Sequence, residues 1–297
     1  MTGPERGFLL LSSQLGNPQR RPLSSAGLRK LAQRVRAGDR KGEDRALCEA
    51  DIVSLGYDRT MAQRILSLLD EEMLLACYLD SAKRAGCTPL TRISAAYPSQ
   101  LRQRLGDDAP GVLWAKGDLE ILKMPKIALV GSRDIYEKNK AFAAEVGLQA
   151  AKQGFALVSG NTRGADTIAQ RACLDHDGCV ISVVADAVTA HRNRGSVLYL
   201  SEEDFDIPFS AQRALSRNRV IHALAEKTFV AQCSCGAGGT WDGTVKNLKG
   251  GWSPVFCFDD GSAASKQLEQ MGAQCITATD LAELSALTSL YTTFLLE

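Results

Sequence analysis

Two kinds of hydrophobic patterning divide the chain. Up to about residue 90 the apolar positions recur at helical spacing: Leu28, Leu31 and Val35 make one stripe. Ala62, Ile65, Leu66, Leu69, Met73, Leu74, Cys77 and Leu79 make a longer one, broken by Asp70, Glu71 and Glu72. No convincing strand occurs there, so residues 1–90 are expected to form a small helical domain. From residue 126 onward the pattern changes to short unbroken apolar runs separated by amphipathic segments. Residues 127–130, 155–158, 179–184, 197–200, 228–233, 255–258 and 274–277 read as strands, the first ones buried on both faces. Helices are expected over 136–153, closed by Gly154, and from near Ala165, Ser210 and Trp241, with two more over 263–271 and 281–296. Such alternation predicts a doubly wound, mostly parallel sheet in residues 126–297. Between the two parts, the proline-spaced stretch 91–125 reads as an irregular linker with an accessory or edge strand at 112–115.

The chemistry sits where the strands end. The strand at 127–130 runs into Gly131, Ser132 and Arg133, and the one at 155–158 into Ser159, Gly160, Asn161, Thr162, Arg163 and Gly164. Consecutive parallel strands place both loops on one sheet edge, where open α/β sheets take their ligands. Backbone N–H groups at two helix starts, with Arg133 and Arg163, would favour a phosphate. One Gly-Ser loop alone reads as a tight turn; the repetition points to an anion site. Asp166 is expected at a helix start, fixing the loop N–H groups or the arginine. The helix from Ser210 is expected to expose Arg213, Arg217 and Asn218 together, with Leu215, Val220, Ile221 and Leu224 in the core. Arg217 is placed on the phosphate side, and Arg219 is open to pairing with an acidic residue. A third glycine-rich turn, including Gly238, Gly239 and Thr240, follows the strand at 228–233 on what should be the same edge.

Composition adds little. With 45% hydrophobic and 23% charged residues and a net charge of +1, the 297-residue chain can bury a large core, but the total charge neither predicts nor excludes a nucleic-acid partner. The basic cluster between residues 20 and 45 reads first as a solvated helix face, with direct DNA contact as the alternative. Nine scattered cysteines, an odd number without a leader sequence, point to a reducing cytoplasmic setting. Cys233 and Cys235 lack a second ligand pair, so no metal and no cofactor is expected. His176, His191 and His222 read as surface or internally satisfied residues. The apolar run at 8–11 is far short of the roughly twenty residues needed to span a bilayer, so no membrane association is expected.

Three segments together carry a family resemblance. Val130-Gly131-Ser132-Arg133 and the stretch from Ser159 to Asp166 resemble two glycine-rich signatures of the DNA-processing A (DprA/Smf) family. The second departs from the usual form by Thr162 and Ala165, while Arg163, Gly164 and Asp166 stand. The stretch 216–224 resembles the family's Arg-Asn-Arg-Ile-Ile helix, and Tyr97, Pro98, Leu101 and residues 109–122 resemble its lead-in to the first strand. The resemblance implies a Rossmann-like domain of the wider LOG/SLOG-type superfamily, preceded by a helical, SAM-like domain. It further implies single-stranded DNA binding, a homodimer, and help in loading a RecA-type recombinase during natural transformation (competence). Many family members carry a winged-helix-like segment after the nucleotide-binding fold, for which the chain ending at Glu297 leaves no room.

An alternative of a different class is a sensor or hydrolase of a small nucleotide-derived ligand. Gly238-Gly239-Thr240 echoes the Pro-Gly-Gly-x-Gly-Thr-x-x-Glu motif of phosphoribohydrolase relatives, but Gly243 stands where the catalytic glutamate belongs and Asp242 is one position early. Without a positioned carboxylate there is no general acid for glycosidic cleavage, so a non-enzymatic role is expected. Few aromatic residues are available for stacking, which favours contacts to the strand's backbone. Basic residues reaching as far as Arg192 and Arg194 would favour a strand over a small ligand.

Overall fold

The computed structural model describes residues 1–37 and 47–288. Five helices come first: α1 (Gly3–Ser12), α2 (Ser25–Ala37), α3 (Glu49–Ser54), α4 (Arg59–Leu69) and α5 (Glu72–Arg84). Then follow β1 (Thr88–Thr91), α6 (Ser99–Leu105), β2 (Val112–Lys116), β3 (Lys126–Val130), α7 (Glu137–Lys152), β4 (Ala156–Ser159) and α8 (Ala165–Leu174). The chain continues through β5 (Val180–Val183), β6 (Val197–Ser201), α9 (Ala211–Ser216), α10 (Asn218–Leu224), β7 (Lys227–Val230) and α11 (Gly238–Gly250). It closes with β8 (Val255–Phe258), α12 (Ala263–Gln270), β9 (Gln274–Ile276) and a 3-10 segment, Ala278–Ala286. Among the described residues no helix is long and apolar enough to cross a membrane.

One nine-stranded sheet, in the order β1-β2-β6-β5-β4-β3-β7-β8-β9, organises the molecule. The seven strands from β6 to β9 pair in parallel, and β1 and β2 add antiparallel strands at one side. Strand residues alternate strictly between two cores. Ile127, Leu129, Leu157, Phe229 and Phe256 face α7 and α8, whereas Ala128, Val130, Val158, Ile181 and Val183 face α6, α10 and α12. Unbroken apolar runs are needed because both faces are covered. The chain leaves β3 for α7 on one face and β7 for α11 on the other, and β3 and β7 are neighbours. A crevice therefore opens between their carboxyl ends, at the topological switch point.

Three expectations change. Val112–Lys116 is not an edge strand: it lies between β1 and β6, and the edge on that side is β1, most of it within residues 1–90, where only helices were expected. β1 hides in sequence because it is four residues long and contains Pro89, which is tolerated on a strand with one open side. Arg20 is buried instead of solvated: it donates to the carbonyls of Leu10 (2.5 Å), Leu68 (3.2 Å) and Ser13 and pairs with Glu71, pinning helix ends together. Arg40, Lys41 and Arg45 of the same cluster, and Leu290 and Phe294 of the expected last helix, lie outside the described residues. The helical part shares the main core, through Leu9, Leu10, Leu75 and Tyr78 packed with Trp114 of β2.

Candidate nucleic-acid interface

The three glycine-rich loops meet. Ala165 N–H donates to Ser132 O (3.2 Å), tying the loop after β4 to the loop after β3. Ser132 N–H donates to Gln232 O (2.9 Å), Tyr136 N–H to the Gln232 side chain (2.9 Å), and Gln232 Nε2 to Asp134 O (3.2 Å), which ties in the loop after β7. A Cβ on Gly131 would overlap that of Ala165, and one on Gly164 (φ +88°) would overlap the carbonyl oxygens of Ser132 and Arg133. The first two loops therefore approach closely only because both residues are glycine.

Above them lies a cavity of about 480 Å³. Gly131, Ser132, Arg133, Arg217, Asn218, Gly238, Gly239 and Thr240 line it, as do Asp166 and Thr162. Gly238, Gly239 and Thr240 form the first turn of α11, whose N-terminal N–H groups carry the positive end of the helix dipole. Arg133 is exposed, and among the described residues it has no ion-pair partner. Ser159, Gly160, Arg163, Gly164 and Arg213 do not line the cavity. Ser159 is buried and accepts from Gln170 Nε2 (2.5 Å). Gly160 lies beneath Arg217, whose guanidinium occupies the space that a Cβ would need. Arg163 is 73% exposed at the rim and pairs with Asp134 (3.0 Å). Arg213 holds the carbonyls of Ile207 (2.9 Å) and Pro208. Neither Arg192 nor Arg194 reaches the cavity.

Arg217 departs most from expectation. The helix predicted through 210–224 is two helices, α9 and α10, meeting at this residue, so Arg217 turns inward and is 4% exposed. Leu215, expected in the core, is turned out instead, 49% exposed as a wall of the cavity. Nη1 of Arg217 donates to Val183 O (2.6 Å), while Nε is buried with no partner among the described residues. Burial lowers the pKa of the guanidinium, opposed mainly by Asp166, yet an arginine stays charged. Asp166 accepts from Thr162 N–H (3.1 Å) and Thr162 Oγ1 (2.6 Å), shaping the loop as a helix-start carboxylate does. Burial raises its pKa, and the nearby Arg217 charge opposes the rise. Arg219 takes the other course: it pairs with Glu202 at 2.6 Å.

His222 is the site residue that sequence reasoning passed over. It is fully buried at the cavity floor, with its pKa pushed down to about 3 by desolvation. Its place four residues after Asn218, hence on the same helix face, was the available signal.

Comparison with known proteins places this architecture. The family model for DNA recombination-mediator protein A matches residues 88–285. DNA processing protein DprA of Streptococcus pneumoniae is 29% identical over 189 residues, covering 58% of this chain and 65% of that protein. Protein Smf of Escherichia coli is 30% identical over 156 residues, 49% of this chain and 41% of its own length. The chain thus spans less than two thirds of either relative. Among solved structures, DNA processing protein A of S. pneumoniae superposes with a TM-score of 0.67 at 23% identity, over 87% of this chain and 97% of that one. The Helicobacter pylori protein, solved for its single-stranded DNA binding mode, gives 0.55 at 24% identity, over 65% and 93%. These structures share the fold. With the family model running across all nine strands and all three loops, the chain belongs to the DNA recombination-mediator protein A family.

Proposed function

We propose that this protein binds single-stranded DNA by drawing a backbone phosphate into the cavity between the three loops, as a handling protein with no catalytic step of its own. The observation that carries this reading is Arg217, a permanently charged, buried group with one carbonyl partner and an unmatched Nε. Asp166 supplies part of the counter-charge without forming an ion pair among the described residues, and a buried guanidinium left with an unmatched Nε is costly unless an anion completes it. Arg133 and the first turn of α11 add positive potential beside it. The carboxylates on the cavity lining are Asp134, paired with Arg163, and Asp166, held by Thr162; neither stands free as a general acid. Delivery of the strand to a RecA-type recombinase, action as a homodimer in the cytoplasm, and a part in natural transformation complete the proposal on the strength of the family resemblance.

The test is fluorescence anisotropy with single strands, duplex and free nucleotides. Single strands should bind with a log–log salt slope of about 0.7 per phosphate neutralised. Arg217→Met, which keeps the aliphatic stem over Gly160, should weaken binding about 10- to 100-fold through loss of a charge-assisted contact of about 1.5–3 kcal/mol. No affinity for any single strand at low salt would remove the proposal. A second reading, retention of a small nucleotide-derived ligand, draws on the absence of Arg192 and Arg194 from the lining. It is chosen if free nucleotides compete at the concentrations that saturate the site while longer strands bind no better.

A further inference from the structure

A second cavity lies in the helical part and shares no lining residue with the one between the three loops. It measures about 230 Å³ and is lined chiefly by α2, the turn between α3 and α4, and α4 itself. Its basic side comes from α2, which carries Arg29, Lys30, Arg34 and Arg36 and no acidic residue.

Arg34 is fixed in this cavity. Its guanidinium lies over the Tyr57 ring, 4.2 Å from the centroid, where Gly56 (φ +83°) turns the chain between the two helices. Stacking engages the face of the guanidinium and leaves its donating edge uncommitted: Nη1 is buried without a hydrogen-bond partner among the described residues. Lys30 stands four residues earlier on the same helix face, exposed and without an ion-pair partner among the described residues. Like charges at that spacing repel and destabilise a helix, so an anion held between them would relieve it. Asp58 is the one carboxylate in the lining, and it is engaged in capping α4, accepting from Met61 N–H at 2.8 Å. Leu23, Met61 and Ile65 supply the apolar remainder.

The lining selects the chemistry of the ligand. A planar fork beside an ammonium suits a phosphate, whose oxygens accept from both. The volume falls below the roughly 300 Å³ at which sites begin to hold whole small molecules, so a phosphate with part of its sugar fits and a complete nucleotide does not. Nor does the cavity offer a platform for a base: Tyr57 is the one aromatic residue of the lining, and the guanidinium covers its ring. α2 is also joined to the loop cavity. Arg29 reaches Asp107 (3.7 Å), and the carbonyl of Asp108 accepts from Arg219 Nε (3.2 Å) on α10, the helix that brings Asn218 to that cavity. α2 and α10 thus flank one short turn, and the two basic sites belong to neighbouring elements.

We infer that Lys30 and Arg34 form a second phosphate site, in the helical part, which holds a backbone phosphate of the strand whose neighbouring stretch occupies the loop cavity. The inference rests on the single-strand reading above and extends the binding surface beyond the sheet edge. It also separates basic residues that look alike in sequence. Arg20 is an internal brace and Arg21 donates to the carbonyl of Pro18 (2.6 Å), whereas Lys30 and Arg34 face the ligand.

The experiment measures oligo(dT) binding by anisotropy, with strands from about 4 to about 30 nucleotides, on the wild-type chain, Lys30→Gln, Arg34→Gln, Arg34→Lys and Arg217→Met. With the longest strand, Lys30→Gln should weaken binding about three- to tenfold and lower the salt slope by about 0.7, one phosphate contact. Arg34→Gln should cost about tenfold, and Arg34→Lys, which keeps the charge without the fork, should fall between it and the wild type. With the shortest strand, which should fill the loop cavity alone, the Lys30 and Arg34 variants should stay within about twofold of the wild type while Arg217→Met still weakens binding. Lys30 is exposed, so its replacement decides the matter even if Arg34→Gln unfolds the helical part. Unchanged affinity and slope of Lys30→Gln with the longest strand would overturn the inference and leave binding at the loops standing; so would a loss as large with the shortest strand as with the longest. Failure of every strand to bind the wild type would instead remove the single-strand reading, and this inference with it.

Discussion

The two sides of the cavity are both rich in glycine, and the glycines do different work. On the β3–β4 side, Cβ atoms on Gly131 and Gly164 would overlap neighbouring backbone or side-chain atoms, and Gly160 gives up its space to Arg217. On the β7–α11 side, Gly236 (φ +71°) and Gly238 (φ +87°) have nothing within 4 Å of where a Cβ would stand. One side is a packed joint between two loops; the other is an open turn that needs glycine only for its backbone angle. The packed side sets the geometry of the anion site, and the open side leaves room beside it.

The sharpest way to break this contrast is to add the same methyl group to both sides. Gly164→Ala combines an unfavourable φ, worth about 1–2 kcal/mol, with overpacking against two carbonyl oxygens, worth about 1–3 kcal/mol or more. A loss of about 3–5 kcal/mol is expected, read as a fall in the urea midpoint. Gly238→Ala carries only the φ cost, about 1–2 kcal/mol. Equal losses at the two positions would mean that the packed joint relaxes easily, and the distinction would fail.

A pH series examines what supports the open side. Beneath α11, His222, Asn247, Thr228 and Ser253 form a closed buried network that requires a neutral ring. The unfolded chain takes up a proton on this histidine below about pH 6.5, whereas the folded chain does so only near 3. Unfolding free energy from this group is thus complete above pH 6.5 and declines as pH falls towards 3, by about 1.4 kcal/mol per unit. Between about pH 6.5 and 4.5 the wild type should lose about 2–3 kcal/mol more than His222→Phe. Parallel stability curves for the two proteins would show that the ring is reached by protons in the folded state.

How much of this was legible depended on whether neighbours in sequence decided the structure. Strands β3 to β9 were readable because burial on both faces forces unbroken apolar runs such as Ile127 to Val130. The meeting of three loops followed from parallel connection alone, and the hydrogen bonds of Gln232 and Ala165 bear it out. The interior of the site was not readable. A single helix was expected through Arg217, and the break there exchanges the positions of Arg217 and Leu215. His222 looked like any buried histidine because its partners sit on other elements, Thr228 on β7 and Asn247 on α11, and its open Nε2 depends on Gly243. Ser159 and Gly160 carry the motif's appearance, but the first is tied to Gln170 and the second lies under Arg217. Motif spacing marks a loop without telling which of its residues face the ligand.

The smallest expected effect is the most direct probe of where the strand runs. Sequence alone made Arg163 the twin of Arg133, one guanidinium per glycine loop. In the folded chain they are not equivalent: Arg163 is held by Asp134, both of them mostly exposed, while Arg133 lines the cavity. An exposed pair of this kind contributes at most about 1 kcal/mol to stability. Arg163→Ala should therefore shift the urea midpoint very little and change single-strand affinity by no more than about threefold. Arg133→Ala should lower the affinity further and reduce the salt slope by about 0.7, one phosphate contact. If Arg163→Ala cost tenfold instead, with its own drop in slope, the strand would have to pass over the rim by displacing Asp134. The packed side would then bind with its outer surface, and the buried charge of Arg217 would serve the fold, not the ligand.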